Sequence, residues 1–262
     1  MLKPDPLKIS PYTARPLGLT GGILYETPET SSVLDLSFQL LEEGKEFPPL
    51  SSVRADQQTK GRGRYGRAWV SPPGNIYASL RLPEHFPFQG TFAPLATAYF
   101  LTLGLEELFI LKTMVKWPND LIYQGKKVAG ILLENRNGTI IAGIGINLGT
   151  PPAIPERLPE APPVGALPLF DFNPSQMWER LAKHFHDSYN KFSKFGDTPT
   201  REKNFSRLAE KRLLGLGQRA TLCTPETAPL TGTIRGLNPG GALVLDTPQG
   251  SQTVWSGTLT LS

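Results

Sequence analysis

The chain has 262 residues, and its 27 Lys and Arg against 23 Asp and Glu give a net charge of +4. Hydrophobic residues make up 39% and charged residues 19%, which excludes a disordered protein and leaves room for one large domain or a medium and a small one. A single cysteine, Cys223, excludes an internal disulfide and a thiolate metal centre, and three histidines (His85, His184 and His186) leave little scope for a histidine metal site.

The sequence pattern of the first half of the chain predicts an N-terminal arm followed by helices and strands. Residues 1–22 are rich in proline and polar groups, which indicates a loosely held arm without an apolar signal segment. A helix is expected over 31–43, because Thr30 or Ser31 can cap it and Gly44 can end it. Strand-like runs of apolar residues are found at 51–54, 76–82, 114–117, 121–123, 128–134 and 139–147.

An uncharged stretch of twenty residues, 86–105, is long enough to span a membrane. Prolines, glycines and threonines interrupt it, so it predicts a buried helix over about 91–110 in a cytoplasmic protein instead. Another helix is expected over 174–195, where apolar residues recur at helical spacing. Seven prolines make 151–168 a surface loop, because neither a helix nor a central strand can run through them.

The C-terminal part predicts a small all-β domain. Short alternating runs separated by Pro and Gly are typical of a small β-barrel, and they lie at 219–223, 231–237, 242–246 and 253–261. The change from helical spacing to short alternating runs places a domain boundary near 212–217. We therefore expect an arm (1–22), a main domain (23–213) and a β-barrel domain (214–262).

The most informative segment is a glycine–arginine loop, residues 57–69. Its basic residues account for the whole excess of positive charge, which indicates one small anionic ligand rather than a nucleic-acid coat. Such a cluster should be mobile when empty and ordered when an anion fills it. Gly61, Gly63 and Gly66 also match a dinucleotide-binding or kinase pattern. The following Pro72–Pro73 excludes the helix that the dinucleotide fold requires, and the kinase pattern lacks its H-R-D and D-F-G partners. A nucleic-acid tether of the RGG type is disfavoured because the segment stands alone.

A second segment, Lys116 to Gly130, contains Trp-Pro-Asn-Asp between two apolar runs. Read alone, it fits a plain turn with solvated charges. The functional interpretation is that Asp120 and Lys127 face each other across the short connection, where they could handle an amine and a phosphate. A third segment, 143–148, has glycines at alternate positions of a strand, which often marks close approach of a ligand.

The three segments, in this order, resemble the biotin protein ligases: GRGRYGRAW, KWPNDLIYQGKKVAGILLE and GIGIN. The resemblance covers about residues 25–262. It implies an α/β fold, with a mixed sheet flanked by helices as in class II synthetases and a small SH3-like C-terminal β-barrel. Lipoate ligases and octanoyl transferases share the main fold, but the long arginine-rich loop and the Lys-Trp-Pro-Asn-Asp motif favour biotin.

The activity implied by the resemblance has two steps. Biotin and ATP, with Mg²⁺, give biotinyl-5′-AMP, and a lysine of the biotin carboxyl carrier protein of acetyl-CoA carboxylase then takes the biotinyl group. No nucleic acid or membrane is expected as a partner. About 25 residues precede the first catalytic helix, too few for the winged-helix domain of some relatives, so we expect a ligase without repressor activity. The sequence leaves a homodimer open.

The resemblance also carries roles to individual residues. The expected catalytic residues are Lys127, Asp120 and Arg64, with Mg²⁺ near Asp120. The biotin contacts are expected at Thr30, Ser31, Ser32, Gln58, Arg62, Gly63, Arg64 and Lys127. The nucleotide contacts are expected at Arg62, Arg64, Arg67, Trp69, Lys116, Asn119 and Asn147.

Two alternatives and two departures accompany these expectations. A plain helix cap would also explain Thr30, Ser31 and Ser32. A nucleic-acid binder, or a remnant that binds biotin without turnover, would be other uses of the loop. The family usually has Asn at position 32 and often a basic residue at position 65. Tyr65 removes one positive charge, which predicts weaker retention of the adenylate.

Overall fold

The computed structural model describes residues 11–18, 21–90, 92–153, 162–194, 198–224 and 228–262. The main domain is built on an eight-stranded sheet in the order β1-β2-β3-β4-β8-β7-β6-β5, in which β2 and β3 are parallel and the other neighbours antiparallel. The strands are β1 (Thr13–Pro16), β2 (Ile23–Thr30), β3 (Ser52–Gln58), β4 (Ile76–Arg81), β5 (Met114–Lys116), β6 (Asp120–Tyr123), β7 (Lys126–Arg136) and β8 (Thr139–Ile146). A mixed sheet with helices on both faces confirms the predicted fold class.

Helices cover the two faces of the sheet unequally. They are α1 (Val33–Glu42), α2 (Phe92–Phe109), α3 (Pro174–Ser193) and α4 (Thr198–Glu210). Of the helices in the described residues, α1 covers one face, where its apolar side packs on Val53, Tyr77 and Ile141. Helices α2 and α3 belong to the larger core on the opposite face. The face of α1 is therefore only partly covered, and the glycine–arginine loop lies on that side, with Trp69 packed against the α1 cluster.

Helix α2 confirms the buried interpretation of the uncharged stretch, since most of its residues are inaccessible to solvent. No helix in the described part of the chain is both long and apolar enough to cross a membrane.

The C-terminal domain is a five-stranded antiparallel sheet in the order β12-β11-β10-β9-β13. Its strands are β9 (Arg219–Cys223), β10 (Leu230–Leu237), β11 (Leu243–Thr247), β12 (Gly250–Val254) and β13 (Thr258–Leu261). Hydrogen bonds join it to β5 and to the residue that follows β5. The Leu214 N–H donates to the Val115 carbonyl of β5 at 2.8 Å, and the Trp117 indole N–H donates to the Gly241 carbonyl at 3.2 Å.

The structure corrects several predicted elements. Part of the expected arm is β1, which pairs with β2 because an edge strand tolerates proline. Helix α1 begins at Val33 with Ser32 as its cap, rather than with Thr30 or Ser31. Helix α4 was not predicted, because its 13 residues are strongly polar on average.

Two further predictions at the C-terminal side need correction or lie partly outside the described residues. The run 253–261 is two strands, β12 and β13, separated by a turn at Gly257. The predicted end of the helix at 195 lies outside the described residues, and α3 ends at Ser193. Of the predicted loop 151–168, residues 154–161 lie outside the description as well.

Candidate active site

The glycine–arginine loop (57–69) folds back on itself directly after β3. The Gly63 N–H donates to the Arg67 carbonyl at 2.7 Å, and the Trp69 N–H donates to the Gly61 carbonyl at 2.9 Å. A Cβ added at Gly61 would lie 2.5 Å from the Trp69 carbonyl oxygen, so no larger residue fits there. The loop tip is a tight turn, Arg64–Gly66, in which the backbone of Tyr65 is left-handed. The prediction that glycine lets this backbone turn tightly is confirmed at Gly61, and the predicted close approach to a ligand stays a prediction.

Arg62 is held by two carboxylates. Its guanidinium donates to both carboxylate oxygens of Asp35 at 2.7 Å and to Glu134 at 2.7 and 3.0 Å. Asp35 is in the first turn of α1 and Glu134 is on β7, so this Arg62 clasp (Arg62, Asp35 and Glu134) fastens the loop to a helix and a strand. The hydrogen bond from Arg62 holds the pKa of Asp35 below its usual value, against the opposing effect of burial.

Arg64 has different surroundings. Its Nη1 donates to the Asn119 side-chain oxygen at 3.2 Å and to the Gly257 carbonyl at 3.1 Å, and its Nη2 donates to the Tyr65 hydroxyl at 2.9 Å. All three acceptors are neutral, and no described carboxylate forms an ion pair with Arg64. The positive charge of Arg64 is therefore fixed in position and left uncompensated. Gly257 belongs to the C-terminal domain, so that domain contributes directly to the loop.

Trp69 lies over the glycines of the neighbouring strands. A Cβ at Gly145 would be 2.5 Å from the indole ring, and a Cβ at Gly130 would be 2.8 Å from it. The two glycines are opposite each other in the β7–β8 pair. The indole N–H is buried without a partner in the described part of the chain. Glycine at these positions thus makes room for the Trp69 indole, whereas the sequence predicted the close approach of a ligand at Gly143 and Gly145.

Lys127 and Asp120 meet as the sequence predicted. The Lys127 ammonium is 2.6 Å from the Asp120 carboxylate, and both side chains are half-buried. The ammonium also lies 5.4 Å from the centroid of the Trp69 ring. The pair forms because β6 and β7 are joined by a tight turn, with Gln124 and Gly125 in the left-handed region. A cation and a carboxylate thus lie beside the indole ring.

Lys116 is a third cation near this pair. It is 7% exposed, and burial lowers its pKa, while the charge of Asp120 raises it and the charge of Lys127 lowers it. Arg64 and Arg67 also disfavour its charged form. An anion bound among these cations would therefore relieve their mutual repulsion.

Two asparagines line the same region. The Asn119 side chain donates to the Ile131 carbonyl at 2.6 Å while accepting from Arg64. Asn147 is buried and donates to the Gly165 carbonyl at 2.8 Å, but its side-chain oxygen has no partner among the described residues. An unpartnered buried amide oxygen is costly unless a ligand or water donor satisfies it.

The residues expected to contact biotin lie at the start of α1. The Ser32 hydroxyl accepts from the Leu34 N–H at 3.3 Å, and the Gln58 side-chain oxygen accepts from the Val33 N–H at 2.9 Å. Gln58 also donates to Ser71 at 3.0 Å. The cap interpretation is therefore confirmed for Ser32, and Gln58 acts as a second capping group. Thr30 and Ser31 are half-buried beside them.

Sequence reasoning missed the partners of the two arginines. Asp35 and Glu134 lie 27 and 72 residues from Arg62, and the Gly257 carbonyl lies 193 residues from Arg64. No local pattern marks such distant contacts. The position of Asp35 in the first helical turn was a signal of helix stability alone.

Comparisons with known proteins define the class of this chain. Residues 30–150 match the Biotin/lipoate A/B protein ligase family, and residues 215–258 match the Biotin protein ligase C terminal domain. The first match covers the loop, the Lys127–Asp120 pair and β8, and the second covers most of the C-terminal sheet.

Individual relatives narrow the class to a family. The biotin--[acetyl-CoA-carboxylase] ligase of Paracoccus denitrificans is 32% identical over 77% of this chain and 86% of its own length. The bifunctional ligase/repressor BirA of Bacillus subtilis is 31% identical over 82% of this chain and 67% of its own length. The Aquifex aeolicus biotin protein ligase in complex with biotin and ATP superposes with a TM-score of 0.72 at 28% identity, covering 91% of this chain and 98% of that one. The chain belongs to the biotin protein ligase family.

Proposed function

We propose that this chain is an ATP-dependent biotin ligase that modifies a lysine of a biotin carboxyl carrier protein in the cytoplasm. The observation that carries the proposal is the uncompensated Arg64 charge near Lys127 and Lys116, on a closed loop of a chain in this family. A cation held without a carboxylate partner, beside the ion-paired Lys127 and the buried Lys116, suits a ligand that brings two anionic groups together.

In the first step, a biotin carboxylate oxygen attacks the α-phosphorus of ATP and pyrophosphate leaves with the electrons of the broken P–O bond. Arg64 and Lys127 would stabilise the negative charge that builds up on the α-phosphate oxygens. Asp120 would orient Lys127 through their 2.6 Å ion pair. Arg67, Lys116 and Asn119 would contact the nucleotide, and Trp69 would cover the mixed anhydride and keep water away.

In the second step, the neutral amine of the carrier lysine attacks the acyl carbon of biotinyl-5′-AMP. An amide bond forms, the acyl–phosphate bond breaks and AMP leaves. We assign Asp120 as the acceptor of the proton that the amine loses. The head of biotin would contact Thr30 and Ser31 beside the capped start of α1, together with Gly63 of the loop.

Arg62 would act mainly by holding the loop closed, since its N–H groups already donate to Asp35 and Glu134. This makes its direct contact with biotin or nucleotide the weakest of the expected roles. The C-terminal domain, residues 214–262, would complete the site through the Gly257 carbonyl.

Mg²⁺ would enter with the phosphates of ATP. Within the described residues no group of three His, Cys, Asp or Glu could hold a metal ion by itself. The Asp120 carboxylate and the unpartnered side-chain oxygen of Asn147 are hard donors of the kind that Mg²⁺ prefers, and each would supply one ligand beside the phosphates. When bound, the ion would neutralise phosphate charge.

One incubation tests the function. The protein, biotin, MgATP and a purified biotin carrier domain are mixed, and the intact mass of the carrier is read together with pyrophosphate release. We expect a carrier heavier by one biotinyl group. No pyrophosphate and no bound biotin would contradict the proposal.

A paired substitution tests the site. Lys127→Met should lower pyrophosphate release by about 100-fold or more, the usual effect of removing one charged stabilising group. Lys126→Met, which removes the exposed neighbouring charge, is the matched control and should release pyrophosphate at nearly the unchanged rate. Equal rates for the two variants would contradict the role of Lys127.

A further inference from the structure

Tyr65 occupies an unusual place at the tip of the glycine–arginine loop. Its backbone is left-handed (φ 58°, ψ 31°), a conformation that side chains other than Gly, Asn and Asp rarely adopt. The side chain is 49% exposed, so burial of the ring does little to offset this backbone cost. The left-handed backbone of Tyr65 instead places the ring in contact with its neighbours on the loop.

Those contacts are with two arginines. The Arg64 guanidinium carbon lies 5.0 Å from the centroid of the Tyr65 ring, and that of Arg67 lies 5.7 Å from it. The Tyr65 hydroxyl also accepts a hydrogen bond from Arg64 at 2.9 Å. One aromatic ring therefore holds two guanidinium groups close together. The negative face of the ring attracts both cations and so offsets part of their mutual repulsion.

The ring acts on the arginine that lacks a carboxylate partner. Arg64 is held from three sides: by Asn119 of the main domain, by the Gly257 carbonyl and by Tyr65. Asn119 and Gly257 both bind Nη1, so Tyr65 alone holds Nη2 among the described residues. Without Tyr65, the guanidinium would be free to turn about its attachment at Nη1.

We propose that Tyr65 is a positioning residue, which keeps Arg64 and Arg67 aimed at the acyl-adenylate and thereby retains it until the carrier arrives. The proposal rests on the proposed function and deepens it. It reverses the expectation that Tyr65, by removing a positive charge from the loop, weakens retention. The ring orders the charges that remain instead of adding another.

The test separates retention from adenylation. The full-length protein is loaded with labelled biotin and MgATP, freed of excess ligand, and followed for release of labelled adenylate and for labelling of serum albumin as a bystander. Pyrophosphate release is measured in parallel. Tyr65→Asn keeps the left-handed backbone but removes the ring, and Tyr65→Phe keeps the ring but removes the hydroxyl.

We expect Tyr65→Asn to shorten retention about tenfold, as loss of two cation–π contacts implies, and to raise bystander labelling. Pyrophosphate release in the first turnover should fall less, by about threefold, because Lys127 shares the stabilisation of the α-phosphate charge with Arg64. Tyr65→Phe should shorten retention by about threefold, less than Tyr65→Asn does, because it loses the hydrogen bond from Arg64 but keeps the ring. Phe172→Ala, which removes an aromatic ring of similar exposure (43%) away from the loop, is the control and should leave retention unchanged.

Two results would overturn the proposal. Unchanged retention in Tyr65→Asn would show that the ring does not position the arginines. Equal loss of retention and adenylation in both Tyr65 variants would show a merely structural role. If the unaltered protein itself releases no pyrophosphate, the proposed function fails instead, so the two failures are distinguishable.

Discussion

Arg62 and Arg64 lie two residues apart on one loop, yet the fold gives them opposite electrostatic surroundings. Arg62 meets Asp35 and Glu134, so its charge is neutralised by side chains of the main domain. Arg64 meets an amide oxygen, a backbone carbonyl and a phenol, so its charge remains available. The same residue type can thus fasten a loop or bind an anion, and only the partners decide which.

The difference has an energetic reason. A half-buried guanidinium that is already satisfied by two carboxylates gains little from a phosphate, because it would have to exchange one anion for another. A guanidinium held by neutral acceptors gains the full attraction of an anion without first breaking an ion pair. The loop therefore separates closure, at its Arg62 end, from ligand binding, at its Arg64 end.

The largest effect is expected when Arg64 itself is replaced. Arg64→Gln should shorten the lifetime of the bound adenylate by about 10- to 100-fold, the range for hydrogen bonds to a charged group. Arg62→Gln should shorten it less, because Arg62 acts through loop closure. Arg180→Gln, an exposed arginine that stacks on Phe109, serves as a control for loss of one charge. The rate of adenylate release after removal of free ligand is measured for all three variants. A larger effect of Arg62→Gln than of Arg64→Gln would contradict the assignment of ligand binding to Arg64.

A second prediction concerns the Arg62 clasp and replaces Asp35, the carboxylate partner of Arg62. Asp35→Asn should lower the free energy of unfolding by about 1–2 kcal/mol at pH 7, because it removes charge-assisted hydrogen bonds to Arg62. The pKa of Asp35 is lowered in the folded protein, so its ion pair stabilises the fold at pH values above the unfolded pKa of about 4. This stabilisation is lost as the pH falls through the folded pKa.

Urea unfolding between pH 7 and pH 3 measures the effect. The difference between the unaltered protein and Asp35→Asn should shrink as the pH falls below about 4. Asp171→Asn, at an exposed position, is the control and should show no such difference. A difference that stays constant down to pH 3 would argue against an ionic role of the clasp.

The comparison also shows what the sequence alone could predict. The position of the loop, the meeting of Lys127 with Asp120 and the helix at 31–43 follow from local signals: glycine spacing, a tight turn and apolar periodicity. The opposite states of Arg62 and Arg64 depend on Asp35, Glu134 and Gly257, which are far away in sequence and brought close only by the completed fold. The same limit explains why β1 was missed: the prolines of residues 1–22 indicated a loose arm, and only the pairing with β2 makes a strand of residues 13–16.

The smallest effect on adenylate retention is expected at Gly257, the partner of Arg64 in the C-terminal domain. Gly257 has φ 141°, and a Cβ there would lie 2.9 Å from the Leu222 side chain and 3.0 Å from the Cys223 carbonyl oxygen. Gly257→Ala should therefore shift the turn and weaken the hydrogen bond that its carbonyl accepts from Arg64. We expect adenylate retention to fall about threefold, the effect of one weakened hydrogen bond.

Gly250→Ala provides the matched control, because Gly250 also has a positive φ (107°) but nothing lies within 4 Å of an added Cβ. Both variants strain the backbone of the C-terminal domain, whereas only Gly257→Ala moves a partner of Arg64. Urea unfolding should report a similar loss of stability in the two, and adenylate release should respond only to the first. Equal retention in both would mean that Asn119 and Tyr65 hold Arg64 without help from the C-terminal domain, and the loop would then belong to the main domain at both ends.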